Sequence, residues 1–335
     1  MSSAARSCSD QEAALRLAVD GLAAEREVVL VTVLSTYGSA PRRPGAIWVI
    51  VDPASGRPEM QGSISGGCVE DDLLDWLARR PARDGPVIRS YDGREYPGLP
   101  CGGTLSVLVE WPRQPADIAP ALAAVSGRGA LWREVELSTG AVDWRPAPSP
   151  VSETPRRDER RLAVPFGPAW RLVIVGSGPV ADQLAPQALA LGFEVVVCDP
   201  RANAQPVPAG ASLSQEAPER LFAELGLDER TAVVAVAHDP RLDDLALIDA
   251  LDSPAFHVAA MGGAGTSRAR RDRLASLGID AARLRAPAGL DIGSHTPAEI
   301  AVSIAAELVA ARSLARRRAD GVAALTPARA SLDAD

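Results

Sequence analysis

Lysine is absent from all 335 positions, so each of the 35 basic residues is an arginine. That removes Schiff-base catalysis, a lysine general base and the lysine of a phosphate-binding P-loop. Histidine is scarce as well: His238, His257 and His295 are the full set, which narrows the conventional metal sites that can be built. Four cysteines, Cys8, Cys68, Cys101 and Cys198, stand at irregular spacings with no close pair of the zinc-knuckle type. This fits free thiols in a reducing compartment and not a disulfide framework. No apolar run reaches the roughly 18 residues of a membrane span, and residues 1–11 are polar where a signal peptide would be apolar. A cytoplasmic protein with no membrane partner is expected. A net charge of -8 argues against a nucleic-acid partner held by bulk electrostatics.

What is present is enough apolar material, 47% of the chain, for a core in each of about two domains. Residues 1–145 read as a mixed α+β domain. Ala14, Leu15, Ala18, Val19 and Leu22 at helical spacing predict a helix over 11–25, and branched residues predict strands over 28–36 and 46–51. A second helix is expected over 69–79, with Glu70, Asp71 and Asp72 in its first turn, where carboxylates oppose the helix dipole. Strands over 87–91 and 104–110 and a hairpin over 131–144 complete the domain. Residues 146–168, dense in proline, arginine and glutamate, read as an interdomain linker. From 169 to 315 strands and helices alternate, which predicts a Rossmann-like, doubly wound parallel sheet and makes the overall class α/β. Residues 316–335 read as a frayed tail.

Two cysteines sit in glycine clusters, Gly62-Ser63-Ile64-Ser65-Gly66-Gly67-Cys68-Val69-Glu70 and Leu99-Pro100-Cys101-Gly102-Gly103-Thr104. Glycine admits φ > 0 and close backbone approach, so a thiol on such a turn is displayed and not buried in a strand. The opposing reading is that a free cysteine is a small buried hydrophobe and that glycine turns merely reverse the chain. Cys198, on a core strand, is read that way.

A second signature opens the other domain: Gly176, Gly178 and Ala181 follow an apolar strand and begin a helix, with Pro179 at its first position. The first glycine suits the tight turn, the second the approach of a pyrophosphate, and the small third residue close helix packing. Asp199, 23 positions after Gly176, ends the next strand where a carboxylate accepts from ribose hydroxyls. Arg201 beside it is placed to meet a ribose phosphate instead, so NAD and NADP both stay open. His238 ends a further strand and acts either as an acid or base or as a partner of its own turn. These features allow an NAD(P)-dependent oxidoreductase as the alternative function.

Taken in order, Thr36-Tyr37-Gly38-Ser39-Ala40-Pro41-Arg42, the runs 62–72, 99–103 and 176–181, Asp199-Pro200-Arg201, His238-Asp239 and the run 287–297 resemble the XdhC/CoxI family of accessory proteins for molybdenum hydroxylases. The resemblance implies a cofactor chaperone with a non-catalytic or weakly catalytic role. Such a protein binds the molybdenum pterin cofactor, protects it while a terminal sulfido ligand is installed, and delivers it to a molybdenum hydroxylase of the xanthine dehydrogenase type, with a cysteine desulfurase as a second partner. Cys68 and Cys101 would then contact molybdenum or carry a persulfide, roles that suit soft thiolates. Arg42 or Arg43 would clamp the pterin phosphate through the guanidinium fork. Asp291 either caps the helix beginning at Thr296-Pro297 or binds ligand. The chain departs from the family after Met261, where Gly262-Gly263-Ala264-Gly265-Thr266-Ser267-Arg268 replaces a shorter glycine-serine-arginine turn. A homodimer is the default assembly.

Overall fold

Residues 28–33 are buried without interruption, because the strand they belong to is covered on both faces. In the computed structural model, which describes residues 10–37, 42–67, 69–79, 85–93, 103–201 and 203–321, helix α1 (Asp10–Ala23) leads into this strand, β1 (Val28–Tyr37). Then come β2 (Ile47–Val51), β3 (Glu59–Gly62), helix α2 (Glu70–Ala78), β4 (Val87–Asp92) and β5 (Thr104–Glu110). The five strands form one antiparallel sheet in the order β3-β2-β1-β5-β4. Alternation assigns the faces. Val29, Val31, Val33 and Val107 pack with Leu73 and Leu77 of α2. Val28, Leu30, Val49 and Leu108 pack with Leu15 and Ala18 of α1 and Val125 of α3 (Ala119–Ser126).

Strands β6 (Leu131–Glu136), β7 (Val142–Pro146), β8 (Arg156–Arg157) and β9 (Arg161–Phe166) form a second antiparallel sheet in the order β7-β6-β9-β8. The stretch 146–168 is therefore not a simple linker. Strand β9 is hydrogen-bonded on both sides, and Leu162, Val164 and Phe166 enter the first domain's core. Exposed Arg161 and in-strand Pro165 give this period-2 segment the composition of a linker.

The second half holds β10 (Arg171–Val175), α4 (Pro179–Ala190), β11 (Glu194–Cys198), β12 (Ala211–Ser214), α5 (Pro218–Leu225), β13 (Thr231–Ala235) and α6 (Pro240–Asp252). It ends with β14 (His257–Ala260), α7 (Ala264–Ser276), β15 (Leu284–Arg285) and α8 (Pro297–Ala319). Its six strands are parallel, in the order β12-β11-β10-β13-β14-β15, which is a Rossmann-like doubly wound sheet. Leu172 and Ile174 face α4 and α8, and Val173 and Val175 face α5 and α6. Helix α8 runs beyond the expected start of the tail, because its arginines cover aromatic rings: Arg312 lies 4.5 Å over Phe193 and Arg316 5.4 Å over Trp170. No helix among the described residues is long and apolar enough to cross a membrane.

Two polar clusters join the domains. Arg128, in the turn after α3, donates to Asp228 at 2.7 and 2.8 Å and to Glu194 at 3.2 Å. Glu153 accepts from Trp170 Nε1 at 2.6 Å and is ion-paired with Arg230 and Arg316. Trp170, Glu194, Asp228 and Arg230 all stand at the amino ends of β10, β11 and β13. The first domain thus rests on the end of the parallel sheet opposite the carboxyl ends, where ligands bind in such folds.

Candidate functional site

Strand register brings three motif-bearing connections together. β1 ends and β5 begins at the pair Tyr37 and Thr104, β4 ends where Asp92 pairs with Thr104, and β3 ends where Gly62 pairs with Trp48 near the start of β2. The connections 38–46, with Arg42 and Arg43, 63–69, with Cys68, and 93–103, with Cys101, therefore all leave one end of one sheet. Helix α2 draws two of them closer: Arg89 of β4 donates to Asp72 in its first turn at 3.2 Å and stacks over Trp76 and Tyr91. Val69, Tyr91 and Leu105 share one core cluster. Cys8, Cys68, Cys101 and residues 38–41 lie outside the described residues.

The Cys68 connection is organised around a residue that the sequence suggested only as a helix-start carboxylate. Gly62 turns the chain at φ 87°, where a Cβ would collide with the Ile47 carbonyl oxygen. The loop then closes on the Glu70 carboxylate, which accepts from Ser63 Oγ at 2.7 Å and from the amides of Ile64 at 3.1 Å, Ser65 at 2.9 Å, Gly66 at 3.2 Å, Gly67 at 3.0 Å and Val69 at 3.3 Å. Ser65 Oγ donates to it as well. Burial alone would raise this carboxyl, but the bonds from Ser65 and Ser63 and the backbone hold it at about 2. Gly67 and Val69, the sequence neighbours of Cys68, are thus tied to the same anion. The available signal was the acid three residues beyond a Ser-Gly-Gly turn.

At the carboxyl ends of the parallel sheet the glycine signature takes the expected shape. Gly176, at φ 99°, abuts Ala237, where a Cβ would fall 2.5 Å from its Cα. Gly178 opens onto free space, Pro179 starts α4, and Ala181 is buried. Asp199 departs from the expectation. It is fully buried, and its carboxylate accepts from the Ser177 amide at 2.7 Å, Ser177 Oγ at 2.5 Å, and Arg201 at 3.1, 2.8 and 2.6 Å. Burial would raise this carboxyl, yet the bonds from Arg201 and Ser177 hold it well below the usual carboxylate range. Both oxygens are engaged, so no acceptor is left for ribose hydroxyls, and Arg201 is spent on Asp199 instead of facing a ribose phosphate. These residues do not fit the ribose of NAD or NADP.

His238 is exposed, at φ 56°, and next to Asp239, which caps α6 through the Arg241 amide at 3.0 Å. Asp291 is exposed and does not cap α8, where Thr296 and Glu299 form a reciprocal capping box. The run that contains it is tied down by Glu307, which accepts from the Gly289 amide at 2.9 Å. Arg42 and Arg43 are exposed, on a turn that packs against the Glu153 segment: a Cβ at Gly45 would fall 2.7 Å from the Glu153 carbonyl oxygen. The predicted site residues therefore fall into two groups, one on the first domain's loops and one at the Rossmann crevice, and the Arg43 turn packs on the Glu153 segment, which pairs with Arg230 and Arg316 at the end away from that crevice. Among the described residues no group of three or more His, Cys, Asp or Glu is arranged to hold a metal ion.

Residues 172–308 match the family described as the XdhC Rossmann domain, and residues 21–92 match the XdhC and CoxI family. The chain is similar to the molybdenum cofactor insertion chaperone PaoD of Escherichia coli (strain K12), at 28% identity over 312 residues, covering 90% of this chain and 89% of that protein. It is also similar to a probable xanthine dehydrogenase subunit of Bacillus subtilis (strain 168), at 26% identity over 318 residues, covering 86% and 94%. The crystal structure of a xanthine dehydrogenase from Bacillus halodurans shares the fold, with a TM-score of 0.70 at 23% identity over 91% of this chain and 96% of that one.

Proposed function

The chain belongs to the XdhC and CoxI family, and on that footing we propose that it is an accessory protein that binds a molybdenum pterin cofactor and delivers it to a molybdenum hydroxylase of the xanthine dehydrogenase type. It holds the cofactor while a terminal sulfido ligand is installed, with a cysteine desulfurase as the source of sulfur, and it works in the cytoplasm as a homodimer. The observation that carries this reading is the departure of the Arg42, Cys68 and Cys101 connections from one end of one sheet. A likeness to a named cofactor insertion chaperone over nearly the whole of both chains supports it. Thiolates suit molybdenum or a sulfur in transit, and the Glu70 knot gives one of the two thiol turns a fixed base. Hydride transfer is not part of the reading, because Asp199 is occupied by the chain's own donors.

The test is titration of the purified protein with the molybdopterin cofactor, followed by activation of an apo-hydroxylase. Cys68→Ala and Cys101→Ala are each expected to weaken binding by at least about tenfold, the loss of one charge-assisted contact. Unchanged affinity and unchanged activation in both variants would remove the thiols from the site. Light scattering checks the dimer.

A further inference from the structure

Four arginines from both domains meet at the seam: Arg43 in the connection between β1 and β2, Arg230 ahead of β13, and Arg312 and Arg316 one turn apart on α8. Two of them pair with one carboxylate, Glu153, whose Oε1 accepts from Trp170 Nε1 at 2.6 Å and lies 3.4 Å from Arg230, while its Oε2 lies 2.5 Å from Arg316 Nε, and the same charge reaches Arg312. Asp320, the other acid that faces Arg316, accepts from Ser152 Oγ at 2.6 Å and Thr154 Oγ1 at 3.0 Å. Four guanidiniums against these two carboxylates leave a surplus of two positive charges.

Arg230 spends its donors on the carbonyls of Pro168 and Val151. Arg312 does not spend its own. It donates from NH1 to the Leu191 carbonyl at 2.9 Å and lies over Phe193, but its Nε is buried with no hydrogen-bond partner among the described residues. Burial, then the charge of Arg316, and more weakly that of Arg43, push this guanidinium down to about 10 although Glu153 opposes them. A buried donor with no acceptor and an excess of like charge is unfavourable unless an anion completes the arrangement.

We propose that Arg43, Arg312 and Arg316 form a phosphate subsite at the seam between the two domains. Arg312 keeps a guanidinium donor unmet, a dianion matches the surplus of two charges, and exposed Arg43 closes over it from the first domain. That the phosphate is the one on the carried pterin cofactor rests on the function proposed above; the subsite itself does not.

Calorimetric titration of the full chain with inorganic phosphate, at constant ionic strength, tests the subsite. Arg43→Ala and Arg312→Gln are expected to bind at least about tenfold more weakly, whereas Arg241→Ala, which removes a 92% exposed guanidinium from α6, binds as the natural chain does. No saturable binding, or equal binding in all four proteins, overturns the proposal. If Arg312→Gln fails to fold, Arg43→Ala decides alone, because its side chain is exposed. A second arm uses the molybdopterin cofactor. A parallel loss of affinity supports the shared phosphate, and cofactor affinity unchanged while phosphate binding is lost refutes that identity and leaves a site for free phosphate. Phosphate binding with no cofactor binding in the natural chain refutes the carrier function and not the subsite.

Discussion

A single carboxylate, Glu70, gathers the donors of the loop that precedes it, and Asp199 does the same for the turn of the second domain. Glu70→Gln keeps the size but removes the charge and leaves one acceptor oxygen where two were used. A loss of about 2–3 kcal/mol is expected in urea denaturation, the cost of unmet buried donors. The carboxyl is held near 2, below its ordinary 4.5, so its contribution is complete above pH 4.5 and disappears as the pH falls toward 2. A shift of that size corresponds to on the order of 3 kcal/mol. The natural chain should lose stability across this window with a slope that Glu70→Gln lacks; equal slopes would deny Glu70 its role. Neither knot was legible in the sequence, because neighbours along the chain do not reveal that a side chain folds back over its own loop. The glycines that make such folding sterically possible were legible.

Elements were legible where periodicity and punctuation agreed. The alternation from β10 to α7, apart from the short strand β12, follows directly from short apolar runs bounded by glycine and proline, and Pro179 and Gly176 mark the first turn. Strand β9 and the last turns of α8 were missed for one shared physical reason: arginine serves there as covering material over apolar or aromatic surface, while in a composition count it reads as solvated chain. Two outcomes follow at this scale. Phe166→Ala should cost about 3–5 kcal/mol, the penalty for emptying a core site, whereas a residue in a true linker would cost almost nothing; a thermal melt distinguishes them. Ser177, in the turn between β10 and α4, and Arg201, after β11, fill the acceptors of Asp199, so NAD and NADH should produce no saturable heat in calorimetry. Micromolar binding of either would show that the turn opens for a dinucleotide.

The whole molecule is held by its arginines. With lysine absent, every interdomain cation is a guanidinium, and Arg128 uses that fork on Asp228 while reaching Glu194 and the Ala169 carbonyl. Arg171 shares Glu194 from the side of the parallel sheet, so the seam is a continuous network and not a set of independent pairs. Arg128 sits at φ 57°, a conformation asparagine tolerates better than most residues, so Arg128→Asn removes the charge without new backbone strain. Because the guanidinium is only 15% exposed, its removal leaves Asp228 without its bidentate partner. It should weaken domain docking by about 2–4 kcal/mol. Scanning calorimetry of the natural chain is expected to show one cooperative transition, and Arg128→Asn to split it, with the Rossmann-like domain unfolding at its own temperature and the radius of gyration rising in solution scattering. An unsplit transition at an unchanged temperature would mean that the Glu153 cluster alone holds the domains without help from Arg128.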